Sequence, residues 1–249
     1  MKVRVCVLQF EREANFKMNV EKARKYLRKS EDCDFALIGG EYSVRESSNT
    51  DPYPPLIDLA KSFHCNIVAP VNANLRRFPN LAKREKGYSS MHIFNREGEV
   101  VAIQDKQHFY SKEAPWFRKG TDVRVFDVEG VKVGLLRGLD ILYPEYTQRL
   151  KNVEMLFFST MATNDMMLEL AKARSLEHQC YVVMSSFIGK YVGMNFLGNA
   201  AVIEPVFHIT GNMRAAYQPK ILRHLTQEGM IEADLDIDYI RKIKKEHPI

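Results

Sequence analysis

The chain has 249 residues, of which 45% are hydrophobic and 27% are charged, and its formal net charge at pH 7 is +5. This balance suits one large domain, which we place over residues 1–249. No apolar run is long enough for a signal peptide or a membrane span, and the four cysteines are scattered without a CxxC pair, which excludes a disulfide framework and predicts a cytoplasmic protein without a metal site.

Strand and helix patterns alternate in the first half of the chain. The opening "KVRVCVLQF" predicts a strand, and Phe16, Val20, Ala23 and Leu27 then recur at the spacing of a helix with one buried stripe. "FALIGGE" predicts a short buried strand, followed by a helix over about residues 54–63 and a strand "NIVAPV". "SSMHIFN" and "VVAIQDK" predict a hairpin that turns in "REGE".

The second half continues the alternation. "RVFDV" and "VKVGLL" predict a hairpin that turns at Glu129 and Gly130, and a helix is predicted over residues 164–179, between the strands "VEMLFFST" and "YVVMSSFIG". "GNAAVIEP" and "EGMIEADLD" predict further strands, and a final short helix is predicted from about residue 237. Helix units mixed with hairpins predict an α/β layered fold with helices outside and sheets inside.

Basic residues are concentrated in three runs, "KARKYLRK", "RRFPNLAKREK" and "RKIKK". The runs are far apart in the sequence, and two lie on amphipathic helices, so solvated helix faces explain them better than a nucleic-acid surface. We therefore expect no nucleic-acid partner.

Polar residues stand at the ends of three predicted strands, where α/β sheets place their ligands. Glu41 follows "FALIGG", Lys106 follows "VVAIQD", and Arg137 and Gly138 follow "VKVGLL". Taken singly, such a carboxylate is often a turn cap and such a lysine is often solvent-exposed. Their order along the chain is more informative than any one of them.

The motifs "ALIGGEYS", "DKQHF", "EAPWFRKG", "VGLLRGLDILYPE" and "LAKARSLEHQCYVV" occur in the order found in the nitrilase superfamily, the carbon–nitrogen hydrolases, which the chain resembles over nearly its whole length. The resemblance implies a four-layer αββα sandwich, an active site between the sheets, and no metal or cofactor. In that family a glutamate acts as general base, a lysine stabilises the oxyanion, and a cysteine attacks a nitrile or amide carbon. By motif, Glu41 corresponds to the glutamate, Lys106 to the lysine, and Glu113 to a second, supporting glutamate.

The resemblance breaks at the nucleophile, because Gly138 stands where the family has its cysteine. Asp140, Tyr143, Pro144 and Glu145 still fit the motif, and no cysteine lies within thirty residues on either side. Cys180 is interpreted as a small buried hydrophobic residue. We therefore expect Glu41, Lys106 and Glu113 to meet beside a glycine that cannot attack a substrate.

Two functions follow from this departure. The first is a pseudoenzyme that uses the pocket to bind a small-molecule amide, nitrile or carboxylate, or a protein partner. The second is an amide or nitrile hydrolase in which Glu41 activates a water molecule instead of a thiol. The resemblance also implies a homodimer.

Arg137 and Asp140 are candidate ligand-binding residues at the same corner. Because Arg137 faces away from Gly138 along the strand, a salt bridge with Asp140, Glu145 or another nearby carboxylate is one interpretation. The other places its guanidinium at the pocket mouth, where it would hold a carboxylate or phosphate.

Overall fold

The fold is described from a computed structural model, for residues 1–11, 13, 16–30, 32–39, 53–73, 86–191, 193–209 and 215–248. In these residues the first sheet contains six strands in the order β13-β1-β2-β3-β4-β5. Their bounds are Lys2–Gln9 (β1), Phe35–Ile38 (β2), Asn66–Ala73 (β3), Tyr88–Phe94 (β4), Val100–Asp105 (β5) and Gly229–Asp236 (β13). Strands β1, β2 and β3 run parallel, and β4 and β13 run antiparallel to their neighbours.

The second sheet has the order β12-β11-β9-β8-β7-β6, with the short strand β10 paired to β9. Its strands are Phe126–Val128 (β6), Val131–Arg137 (β7), Met155–Met161 (β8), Tyr181–Tyr191 (β9), Met194–Leu197 (β10), Ala200–Ile209 (β11) and Ala215–Leu225 (β12). Strands β7, β8 and β9 run parallel, so their carboxyl ends lie at one edge. That edge carries the Gly138 corner.

The five α-helices that the described ranges contain are Phe16–Leu27 (α1), Tyr53–Phe63 (α2), Pro144–Thr147 (α3), Met166–His178 (α4) and Ile237–Glu246 (α5). The stripe predicted for α1 is buried, and Asp236 caps the start of α5 by accepting hydrogen bonds from the backbone N–H groups of Asp238 and Tyr239. No helix in the described ranges is both long and apolar enough to cross a membrane.

Three apolar clusters give the molecule its layers. The central cluster joins alternate residues of the two sheets, such as Val5 and Phe35 of the first and Val133 and Phe157 of the second. A second cluster packs α1 and α2 on the outer face of the first sheet, and a third packs α4 on the outer face of the second. The predicted four-layer αββα sandwich is confirmed.

His178 ends α4 as a buried imidazole beside α5. Burial lowers its pKa to about 4, with a further lowering from Arg174 and Lys244 and an opposing contribution from Glu177. The imidazole is therefore neutral in the folded protein at pH values where an unfolded chain would protonate it.

Acidification is expected to destabilise the protein through His178. Between the unfolded pKa of about 6.5 and the folded pKa of about 4, the unfolded state binds one proton more than the folded state. The free energy of unfolding therefore decreases by up to about 3 kcal/mol as the pH is lowered through this range. Urea unfolding between pH 7.5 and 4.5 would measure this loss. A His178→Phe variant should lose less stability than wild type over that range, whereas a variant of the exposed His64, His64→Asn, should follow wild type. Equal pH slopes for His178→Phe and wild type would contradict the assignment.

Candidate active site

The carboxyl ends of strands from both sheets meet in the space between the sheets. Gly39 follows β2, and a Cβ atom on it would lie 1.3 Å from Oγ of Ser185 on β9. Ser185 Oγ also donates to the carbonyl of Leu8 on β1, at 3.0 Å. Only glycine permits this approach, so position 39 fixes how closely the two sheets pack at this edge.

The inner faces of the strands change from apolar to polar at this edge. Because side chains alternate between faces, the residues that continue the central core toward the carboxyl ends share its inner face. These buried polar residues are Gln9, Asn72, Ser89, Gln104, Lys106, Arg137, Ser159 and Ser185. Buried polar groups in this number, all at one end of the sandwich, indicate a site rather than a core.

Lys106 and Glu113 form a buried ion pair in this region. Nζ of Lys106 lies 3.0 Å from Oε1 and 2.9 Å from Oε2 of Glu113, and the exposed fractions of the two side chains are 1% and 20%. The ammonium also lies 5.2 Å from the ring centroid of Phe109, within cation–π range. Two of its three hydrogens are used on Glu113, and within the described residues the third has no acceptor.

Gly138 faces this ammonium. It is the first residue of the 3-10 helix Gly138–Leu142 that follows β7, and its φ of +52° is in the left-handed region that favours glycine. A Cβ atom at this position would lie 3.1 Å from Nζ and 3.3 Å from Cε of Lys106. Any side chain placed here would therefore point at Lys106.

Asp140 connects the loop after Lys106 to the corner after Gly138. Its fully buried carboxylate accepts hydrogen bonds from the backbone N–H of Gln107 at 3.1 Å, and from N–H and Nδ1 of His108 at 2.8 and 2.9 Å. Burial raises the pKa of Asp140, and the bonds from His108 oppose that rise. The imidazole of His108 in turn stacks on Tyr143, with ring centroids 3.4 Å apart.

Asp140 stays a predicted ligand-binding residue, and its carboxylate also positions the loop after Lys106. The role of His108 was not predicted, although its position inside the "DKQHF" motif was the available signal. Arg174 on α4 was also missed. Its guanidinium is buried and donates to the carbonyl of Ile141 at 3.0 Å, which holds the 3-10 helix from the outer side.

Arg137 crosses the space between the sheets. Its side chain is 1% exposed, and Nη1 donates to the carbonyl of Val71 on β3 at 3.2 Å and to that of Ser90 on β4 at 3.0 Å. The Nη1 end of the guanidinium is thus seated on backbone carbonyls of the other sheet. Asp140 lies beside His108, with 2.9 Å between Oδ1 and Nδ1 of the imidazole. A salt bridge with a nearby carboxylate and a position at the pocket mouth both stay predictions.

Glu41, the expected general base, lies outside the described residues. The thiols are all described, and they lie in the outer layers. Cys6 and Cys65 belong to the cluster under α1 and α2, Cys33 packs against that cluster, and Cys180 belongs to the cluster under α4. Burial raises the pKa of Cys33, and that of Cys180 to about 12, so these thiols are poor nucleophiles. Where the chain is described, no three His, Cys, Asp or Glu side chains converge as metal ligands.

Comparison with known proteins gives one family. The carbon–nitrogen hydrolase family model matches residues 50–245. A 2-oxoglutaramate amidase of Bacillus subtilis (strain 168) is 24% identical over 174 residues, which are 67% of this chain and 63% of the amidase, so the match spans less than two thirds of that relative. A probable nitrilase of Schizosaccharomyces pombe is 23% identical over 78% of this chain and 68% of its own length. The crystal structure of Saccharomyces cerevisiae Nit3, a member of branch 10 of the nitrilase superfamily, has a TM-score of 0.79 at 19% identity and covers 100% of this chain and 95% of Nit3.

Proposed function

We propose that this chain, which belongs to the carbon–nitrogen hydrolase family, is a pseudoenzyme that binds a small molecule between its sheets without attacking it. The observation that carries the proposal is the contact between Gly138 and Lys106. The corner directs any side chain at position 138 toward the ammonium, at 3.1 Å from the Cβ position, and glycine supplies none. A lysine and its supporting glutamate are thus kept beside a position that holds no nucleophile.

The chemistry of the family depends on the missing atom. A thiolate attacks the carbon of an amide or nitrile, and a fixed ammonium meets the negative charge that develops on the substrate. None of the four cysteines can replace the attacking thiol, because each belongs to or packs against an outer layer. The remaining hydrogen of Lys106 can still bind the oxygen of a ligand, which supports binding without covalent catalysis.

A small-molecule amide, nitrile or carboxylate is the ligand class we propose. Lys106 offers an N–H donor to a carbonyl, carboxylate or nitrile acceptor, and a relative at 24% identity is a 2-oxoglutaramate amidase. A homodimer, a cytoplasmic location and the lack of a nucleic-acid partner stay predictions. Size-exclusion chromatography with light scattering would test the first of them.

Hydrolysis through water is the second candidate function. Lys106 retains an N–H that could stabilise an oxyanion, and Glu41 would have to activate the water. Without the covalent step, amide hydrolysis would be severely slowed, although positioning and oxyanion stabilisation retain some catalysis. Ammonia release from a panel of amides and nitriles distinguishes this candidate from the pseudoenzyme.

The wild-type protein is expected to form no covalent adduct in the pocket and to release no ammonia. Incubation with amide and nitrile substrates and with a haloacetamide reagent, followed by intact-mass and peptide mass spectrometry, would test both statements. Slow modification of the partly exposed Cys33 is compatible with the proposal. Enzyme-dependent ammonia release, or an adduct on a residue adjoining Lys106, would overturn it.

A further inference from the structure

At the site end of the first sheet, the amide of Asn72 lacks an acceptor bond that the amides of Gln9 and Gln104 make. Gln9 donates to two carbonyls and accepts from the backbone N–H of Ala200, and Gln104 donates to the carbonyl of Asp122 and accepts from N–H of Arg124. Asn72 is only 6% exposed, yet its Oδ1 is buried and has no hydrogen-bond partner. An acceptor that is buried without a donor lowers the stability of the fold, so its presence in a native protein calls for an explanation such as a functional role.

Asn72 stands in the wall of the site. It pairs with Ser89 across β3 and β4, and the carbonyl of Ser89 accepts the backbone N–H of Lys106. These three residues are therefore neighbours across β3, β4 and the end of β5. Two strand spacings separate Asn72 from Lys106, a distance of roughly 10 Å. The carbonyl of the preceding residue, Val71, binds the guanidinium of Arg137.

We propose that Asn72 is a binding residue whose Oδ1 accepts a hydrogen bond from an N–H group of the ligand. This inference rests on the proposed function and narrows its ligand class. A primary amide carries N–H donors, whereas a nitrile and a carboxylate carry none, so the Oδ1 of Asn72, when it faces the ligand, favours the amide over the other two. Such a subsite discriminates strongly against a ligand without an N–H group, because that ligand leaves the buried acceptor unpaired.

The selectivity can be measured with three probes of four carbons: butanamide, butyronitrile and butanoate. Ligand-observed NMR titrations should give wild-type protein a dissociation constant for butanamide at least about 5-fold below those for the other two. Asn72→Leu should bring the three constants within about 2-fold. Equal binding of the probes by wild-type protein, preference for the nitrile or the carboxylate, or no binding of any probe would overturn the inference.

Asn66 provides a matched control on the same strand. It is buried, its Oδ1 also lacks a partner, and it starts β3 at the end opposite the site, roughly 20 Å from Asn72. Asn66→Leu should therefore keep the wild-type preference for butanamide. Loss of the preference in both variants would show a general effect of the strand rather than recognition by Asn72, and would also overturn the inference.

Thermal unfolding without a ligand separates recognition from support of the fold. Asn72→Leu removes an unpaired buried acceptor at nearly constant volume, so its Tm should rise by roughly 2–8 °C. A lowered Tm would mean that the amide stabilises the fold and would contradict the inference. Ammonia release from butanamide, in contrast, would overturn the pseudoenzyme proposal. The role of Asn72 would then be judged from the ligand preferences of the Asn72→Leu and Asn66→Leu variants.

Discussion

Replacement of Gly138 by cysteine is expected to create a thiol that reacts far faster than any in the wild-type protein. The Cβ position lies 3.1 Å from Nζ of Lys106, and an adjacent ammonium favours the thiolate. The pKa of the introduced thiol should lie at least about one unit below its ordinary value, which makes alkylation near pH 6 about 10-fold faster than at an unperturbed thiol. Iodoacetamide labelling followed by mass spectrometry from pH 5 to 9 would give the rate and the apparent pKa.

Two glycine variants serve as controls for this experiment. Gly130 also has a positive φ, of +78°, and a Cβ atom there would meet nothing within 4 Å, so Gly130→Cys supplies an ordinary thiol on a similarly strained backbone. Gly138→Ala has the same backbone cost, about 1–2 kcal/mol, without the thiol. Ammonia release by Gly138→Cys but not by Gly138→Ala would show that the site lacks only its nucleophile. A thiol at position 138 that reacts like the one at position 130 would mean that Lys106 does not act on this corner.

Removal of the Glu113 carboxylate is expected to cost about 3–5 kcal/mol of stability, because the buried ammonium of Lys106 then loses the carboxylate to which it is bonded. For a chain of this length, Glu113→Ala should lower Tm by roughly 6–20 °C. The double variant Lys106→Met with Glu113→Ala should recover most of the loss, since no unpaired charge then remains. Urea unfolding of the wild type, both single variants and the double variant gives the coupling energy between the two residues.

An ion pair at the surface provides the comparison for Glu113. Lys172 and Glu169 approach to 2.7 Å on α4, but the Glu169 side chain is 63% exposed, so Glu169→Ala should cost less than about 1 kcal/mol. A similar, small loss for Glu113→Ala would show that solvent reaches Lys106. The ion pair would then contribute too little stability to explain the presence of Lys106 and Glu113.

The sequence predicted the strands and helices that bury one clear stripe or alternate regularly. The helix expected over residues 54–63 is observed as Tyr53–Phe63, and the hairpin at Glu129 and Gly130 turns where expected, both residues having positive φ. Strand β12 was not predicted. It is an edge strand with Pro219 and Lys220 in its middle, two residue types that are depleted in strands, so its pattern did not indicate a strand.

Motif order predicted that Glu41, Lys106 and Glu113 meet beside Gly138, and the structure places Lys106 next to both Glu113 and Gly138, while Glu41 lies outside the described residues. Motif order did not reveal the contacts of Arg137 and Asp140. Both side chains bond to backbone groups of distant segments, Arg137 to carbonyls of β3 and β4 and Asp140 to N–H groups after β5. Hydrogen bonds to backbone groups leave no pattern of residue types in the sequence, so pairing of charged residues was the only available signal for these two side chains.

The hydrogen bonds between Asp140 and the loop after Lys106 also affect how this site can change in evolution. The carboxylate holds backbone N–H groups at positions 107 and 108, and every amino acid except proline supplies such a group. The backbone part of this connection therefore survives a change of side chain, and at Gln107 it is the whole of the contact with Asp140. A lineage could exchange Gln107 to suit a new ligand without rebuilding the scaffold, whereas exchange of His108 would also remove the Nδ1 bond to Asp140.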